Sequence, residues 1–149
     1  MKPLELIEKW KNEGHRIVFT NGCFDLLHPG HVVYLEQAKA LGDKLIIGLN
    51  SDESVSRLKG ENRPIIKLEH RQKMLESLRF VDLVIPFKED TPITLIECIN
   101  PHVLVKGGDY AISNIVGAKF VLDNGGIVKA LTFVEGFSSS ELIGQIKEL

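Results

Sequence analysis

The chain has 149 residues, 44% of them hydrophobic, and a formal net charge of −2. That length supports one globular domain, residues 1–149, with a sizeable core, and the charge balance offers no basic surface to a nucleic acid. No apolar run reaches the roughly 18 residues that cross a bilayer. The acid-bearing N-terminus is unlike a secretory leader, and Cys23 and Cys98 lack metal-ligand spacing, so a reducing, cytoplasmic location is expected.

Leu4 to Lys11 predicts a leading helix that ends near Gly14. Arg16 to Thr20 is short, apolar and β-branched, the character of a buried first strand. After it, Asn21 to His31 reads as a loop. Val32, Val33, Leu35, Ala38 and Leu41 then recur at spacings of three and four, which predicts a helix with Pro29 in its first turn and Gly42 as its C-cap. Lys44 to Asn50 is a second buried strand, and Asn50-Ser51-Asp52 opens a short polar helix. Leu58 to Pro64 reads as a charged loop. A helix is predicted over Leu68–Leu78, with Met74, Leu75 and Leu78 facing the core, and a strand over Val81–Ile85, stopped by Pro86.

Thr91-Pro92 opens a helix to about Ile99, and Val103 to Val105 is the fourth strand, followed at once by Lys106-Gly107-Gly108-Asp109-Tyr110. A helix over about Asn114–Asn124 and a fifth strand over Ile127–Thr132 follow. Ser138 and Glu141 have capping-box spacing and open a last helix. Five strands alternating with helices predict an α/β fold, a Rossmann-like, doubly wound parallel sheet with helices on both faces. Such sheets bind ligands beyond the carboxyl ends of their strands. The polar motifs at Gly22–His31, Asn50–Asp52, Lys106–Tyr110 and Glu135–Ser140 all follow strand ends.

The loop Asn21-Gly22-Cys23-Phe24-Asp25-Leu26-Leu27-His28-Pro29-Gly30-His31 carries the clearest chemistry. A helix N-terminus attracts phosphate through its free N–H groups and dipole. Gly22 and Gly30 let backbone approach a ligand, and His28 and His31 can both turn toward a phosphate held there. The run resembles the signature G-x-F-D-x-x-H-x-G-H of the cytidylyltransferase-like nucleotidyltransferases, with every fixed position filled. The resemblance implies that the two histidines hold the nucleoside triphosphate and stabilise the transition state of nucleotidyl transfer. That reaction needs cations and no protein nucleophile. Lys59 and Lys106 are expected beside the histidines as catalytic groups. Asn21, Gly22, Cys23, Phe24, Gly30, Arg79, Gly136, Ser138 and Ser139 are expected to bind nucleotide or phosphate, with the Cys23 side chain a small apolar filler. Arg79, in an R-F-V-D element, is equally suited to the C-terminal end of a helix dipole, and Arg71 reads as helix-supporting.

The strings N-S-D-x-S-x-x-R-L-K-G-x-x-R-P, E-D-T-P and L-V-K-G-G-D-Y, beginning at Asn50, Glu89 and Leu104, resemble the heptose 1-phosphate adenylyltransferases within that family. This implies ATP and a sugar 1-phosphate as substrates, Mg2+ held mainly by the triphosphate, a separate heptose kinase, and a homodimer. Asp25, Asn50, Asp52, Arg63 and Asp109 are the expected substrate-binding residues. Phe133 stands where cytidylyltransferase members carry an arginine, which weighs against the alternative of a glycerol-3-phosphate cytidylyltransferase. A non-catalytic nucleotide-binding module is the alternative of another class, and the intact histidine pair weighs against it.

Overall fold

The strands β1 (Ile17–Gly22), β2 (Lys44–Asn50), β3 (Leu83–Phe87), β4 (Val103–Gly107) and β5 (Ile127–Leu131) form one parallel sheet in the order β3-β2-β1-β4-β5. The computed structural model describes residues 1–149. Seven α-helices connect and flank the strands: α1 (Pro3–Asn12), α2 (Pro29–Lys39), α3 (Asp52–Lys59), α4 (Leu68–Glu76), α5 (Ile93–Ile99), α6 (Ala118–Asp123) and α7 (Ser139–Lys147).

Successive residues of a strand point to opposite faces, and the core divides accordingly. Val18, Leu45, Ile47, Val84, Val103 and Val105 meet Tyr34, Leu35 and Ala38 of α2 and Leu75 of α4 on one face. On the other, Ile17, Phe19, Ile46, Leu104 and Val128 meet Ile7 of α1, Ile96 and Ile99 of α5, and Ala118 and Val121 of α6. The predicted doubly wound sheet with helices on both faces is the observed one. The reversal of strand order falls between β1 and β4, which pair in parallel through Val18–Val103 and Phe19–Leu104.

Several boundaries differ from expectation, each for a physical reason. Strand β1 runs on through Asn21 and Gly22, because both continue the ladder against Gly48 and Leu49. β4 likewise takes in Lys106 and Gly107, paired with Ala130 and Leu131. Pro86 does not stop β3. It pairs with Leu49 inside a strand at the sheet edge, where a missing N–H leaves no partner unsatisfied. Helix α3 extends through Leu58 and Lys59, so these are not loop residues. The helix expected over Asn114–Asn124 is broken into a 3-10 turn at Ile112–Asn114 and α6, with Gly117 at φ +86° between them; a Cβ there would lie 2.7 Å from Ile96 Cδ1. Gly42 caps nothing, since α2 ends at Lys39; its missing side chain is needed because a Cβ would approach Val18 Cγ2 to 2.6 Å. Met74 lies outside the core, 52% exposed, while Leu75 and Leu78 pack into it as expected.

Candidate active site

A cleft of about 710 Å³ opens over the switch between β1 and β4. At its floor the β1–α2 loop turns into α2. His28 is the N-cap, Pro29 and Gly30 follow, and His31 stands at the third helical position. His28 Nδ1 accepts the Gly30 N–H at 3.1 Å, and His31 Nδ1 accepts the His28 N–H at 3.3 Å. The rings stack with centroids 3.8 Å apart. A neutral imidazole whose Nδ1 accepts carries its proton on Nε2, so both rings are set as Nε2–H donors. Burial lowers the His28 pKa. His31 is pushed down to about 4, first by burial and then by the neighbouring His28, against the opposing pull of the Leu26 carbonyl. Phe24, at φ +47°, sets its ring 5.3 Å from His31, and Phe137 stacks on the outer face of His28 at 5.9 Å.

Behind the histidine loop lies a buried frame of charge. Asp25 is 3% exposed. Its Oδ2 accepts Arg63 Nε at 2.7 Å, and its Oδ1 accepts the N–H groups of Ile65 and Ile66 at 2.9 Å. Burial alone would raise the Asp25 pKa, but these backbone N–H groups and Arg63 outweigh it and hold the carboxyl below its ordinary value. Asp25 therefore serves to tie the 60–67 loop to the histidine loop, and both its oxygens are engaged.

Arg71 is the residue whose importance sequence reasoning missed. Its side chain is buried, the residue only 1% exposed, and it donates to the carbonyls of Cys23 at 2.7 Å, Asn50 at 2.8 Å and Ile66 at 2.8 Å, and to Asp52 Oδ1 at 2.8 Å. One guanidinium thus joins the ends of β1 and β2 to the 60–67 loop. The available signal was its spacing: Arg71 lies three after Leu68 and four before Leu75, on the apolar stripe of α4. Asp52 serves the same frame, since its Oδ1 also accepts the Leu68 N–H at 2.9 Å, and it does not line the cleft.

The remaining cations come from two sides. Lys106, half-buried at the end of β4, has its ammonium pKa pushed down mainly by burial and further by Lys59, with Cys23 acting in the opposite direction. Burial also raises the Cys23 thiol, against Lys59, Arg71 and Arg63. Ser138 caps α7, accepting the Glu141 N–H at 3.4 Å as the capping-box spacing predicts, and Ser139 Oγ donates to the Leu26 carbonyl at 2.9 Å.

The cleft brings together Asn21, Gly22, Cys23, Phe24, Asp25, His28, Gly30, His31, Asn50, Lys59, Arg63, Lys106, Ser138 and Ser139. Arg79, Asp109 and Gly136 are outside it. Arg79 is exposed, three residues past the end of α4, and paired with Glu36 of α2 at 3.3 Å. Asp109 follows the Gly108 turn and faces solvent, because Gly108 at φ +114° carries the chain away from the strand direction. Unanticipated lining comes from Leu58, Asp90, Thr91, Pro92, Val116 and Phe137. Phe133 also lines the cleft, 63% exposed, its ring over Gly107 so that a Cβ there would come within 2.7 Å. No helix is long and apolar enough to cross a membrane.

Comparison with known proteins agrees with this geometry. The chain is 56% identical over 146 residues to the bifunctional protein HldE of Marinomonas sp. (strain MWYL1), covering 96% of this chain and 31% of that one. It is 57% identical over 145 residues to the bifunctional protein HldE of Methylococcus capsulatus (strain ATCC 33009 / NCIMB 11132 / Bath), covering 97% and 31%. The chain thus spans about a third of these relatives. Among solved structures, a lipopolysaccharide core biosynthesis protein from Thermoplasma volcanium superposes with a TM-score of 0.64 at 28% identity, over 81% of this chain and 98% of that one. Pantoate-beta-alanine ligase from Francisella tularensis shares the fold, with a TM-score of 0.58 at 14% identity over 100% of this chain and 77% of that one. Residues 19–144 match the family model described as cytidylyltransferase-like, and the chain belongs to that family of nucleotidyltransferases.

Proposed function

We propose that the chain transfers the adenylyl group of ATP to D-glycero-β-D-manno-heptose 1-phosphate, giving ADP-heptose and pyrophosphate for bacterial surface glycan synthesis. The observation that carries the chemistry is the stacked pair His28–His31, each ring accepting a backbone N–H at Nδ1. The heptose assignment rests on the N-S-D, E-D-T-P and K-G-G-D-Y strings, and is supported by the HldE relatives and the lipopolysaccharide core biosynthesis protein.

In this reading an acceptor phosphate oxygen attacks the α-phosphorus in line, forming the new P–O bond as the bond to the β-phosphate oxygen breaks and pyrophosphate leaves. The two Nε2–H groups donate to the triphosphate as charge shifts onto its oxygens. Their neutral state suits this, because a neutral donor stabilises charge that develops without over-binding the ground state. Lys106 and Lys59 neutralise oxygens on either side of the reacting phosphorus, and the N-terminus of α7, with Ser138 and Ser139, receives the outer phosphates. Fixed positions matter as much as charge, and the frame of Asp25 and Arg71 supplies them.

Magnesium would come with the triphosphate and supply positive charge against its phosphates. The donor set fits an ion carried by the nucleotide. Of the carboxylates that line the cleft, Asp25 has both oxygens engaged, and Asp90 has Oδ1 held by Arg57 while its Oδ2 is free.

The test is pyrophosphate release from purified protein with magnesium, crossing ATP, CTP and GTP with heptose 1-phosphate and glycerol 3-phosphate. Release confined to ATP with heptose 1-phosphate is expected. Release with CTP and glycerol 3-phosphate would move the chain to the cytidylyltransferase alternative, and silence in every combination would point to a binding module.

A further inference from the structure

The string Glu89-Asp90-Thr91-Pro92 has no part in the phosphate chemistry, yet Asp90, Thr91 and Pro92 all line the cleft. They follow β3, and β2 lies between β3 and β1 in the sheet. At about 4.8 Å per strand, the end of β3 stands ~10 Å to one side of the histidine loop. Lys106 and Phe133 line the other wing, at the ends of β4 and β5.

The wings differ in charge. Lys59, Arg63 and Lys106 make the cleft attractive to phosphate, and Asp25 is neutralised from within the chain. Asp90 is different. Arg57 Nε donates to its Oδ1 at 2.8 Å, while Arg57 Nη2 donates to the Lys88 carbonyl at 2.6 Å, so the guanidinium fixes the carboxylate from behind. Its Oδ2 is left free on a side chain 73% exposed. A fixed carboxylate is a poor neighbour for phosphate and a good acceptor for hydroxyl groups, to which it makes charge-assisted hydrogen bonds. Thr91 adds an exposed hydroxyl next to it. Asn50, whose Nδ2 donates to Ser54 Oγ at 3.0 Å, lines the cleft from the end of the intervening strand.

We propose that Asp90 and Thr91 form a hydroxyl-reading subsite that takes the polyol end of the acceptor, about two strand spacings from its phosphate. The inference rests on the acceptor being a sugar 1-phosphate. A heptose 1-phosphate carries hydroxyls further from its phosphate than a three-carbon polyol phosphate does, and so brings them nearer that end of the cleft. The subsite would therefore select acceptors by length as well as by hydroxyl pattern.

Calorimetric titration of the full chain, with a non-hydrolysable ATP analogue present, tests it. The probes are heptose 1-phosphate and glycerol 3-phosphate, applied to the unaltered protein and to Asp90→Asn and Thr91→Val. The unaltered protein should bind heptose 1-phosphate at least tenfold more tightly than glycerol 3-phosphate. Asp90→Asn should shrink that ratio at least fivefold and Thr91→Val about twofold to fivefold. Circular dichroism checks that both variants fold, as their exposure predicts. A ratio near one in the unaltered protein, or a ratio unmoved in both variants, overturns the subsite. Pyrophosphate release by the unaltered protein separates the two claims. Turnover of heptose 1-phosphate with an unmoved ratio removes the subsite alone, whereas a ratio that collapses without any turnover supports the subsite and removes the adenylyltransferase reading.

Discussion

Arg71 donates to the Cys23 carbonyl at 2.7 Å, so a helix with no residue in the cleft fixes the loop that carries both histidines. The same guanidinium also reaches Asn50, Asp52 and Ile66. Replacing it with methionine fills the space but leaves three carbonyls and a carboxylate short of donors. Arg71→Met should cost about 3–5 kcal/mol of stability. Arg71→Lys should recover only part, because an ammonium lacks the planar fork. Urea denaturation measures both, and a loss under about 1 kcal/mol for the methionine variant would contradict the frame.

His28→Ala and His31→Ala each remove one Nε2–H donor from the nucleotide. Each should lower kcat by about two orders of magnitude, the scale of losing one transition-state donor. His28→Ala also removes the side-chain N-cap of α2, at about 1 kcal/mol of stability, whereas His31→Ala keeps that bond and loses only the longer reciprocal one from the His28 N–H. Steady-state kinetics paired with thermal melts separates the two effects. Rates near wild type in both variants would remove the pair from the mechanism.

Lys106 sets function against stability. Its pKa is lowered chiefly by burial, so carrying the charge at neutral pH costs folding energy. Lys106→Met should leave the protein as stable or up to about 1 kcal/mol more stable. It should also lower kcat/KM for ATP by roughly tenfold to a hundredfold. Stability loss with unchanged kinetics would make Lys106 a structural residue.

Stability should fall with acid in two stages. The folded-state pKa of His31, about 4, lies below its ordinary 6.5, so its contribution is full above pH 6.5 and is lost as pH falls toward 4. Asp25 also has a lowered folded-state pKa, so its contribution is present above the ordinary carboxylate value of 3.8 and disappears only as pH falls below it. Burial also lowers the pKa of His28 and of His102, which share the first stage, so His31→Asn should shrink that stage and Asp25→Asn the second. Denaturation midpoints measured from pH 7 to pH 3 would show whether each variant shrinks its own stage.

The sequence determined the sheet, because five short apolar strands alternate with helices and the central ones, β1 and β2, are apolar enough to be buried on both faces. It also determined the histidine site, because a strand, a glycine loop and a helix start need only local geometry to aim two imidazoles one way. Tertiary structure decided the rest. Whether Arg71 on an apolar stripe supports a helix or braces three loops depends on carbonyls from Cys23, Asn50 and Ile66, distant in the chain. That Asp25 pairs with Arg63, and Arg79 with Glu36, follows from which charges folding brought together. Thr91 reads in the sequence as a helix opening and Asp90 only as part of the E-D-T-P string, and it was the strand order that set both at the edge of the cleft. Hydrophobic periodicity is a property of neighbours along the chain, whereas the pairing of polar groups is a property of neighbours in space, and only the folded chain specifies the latter.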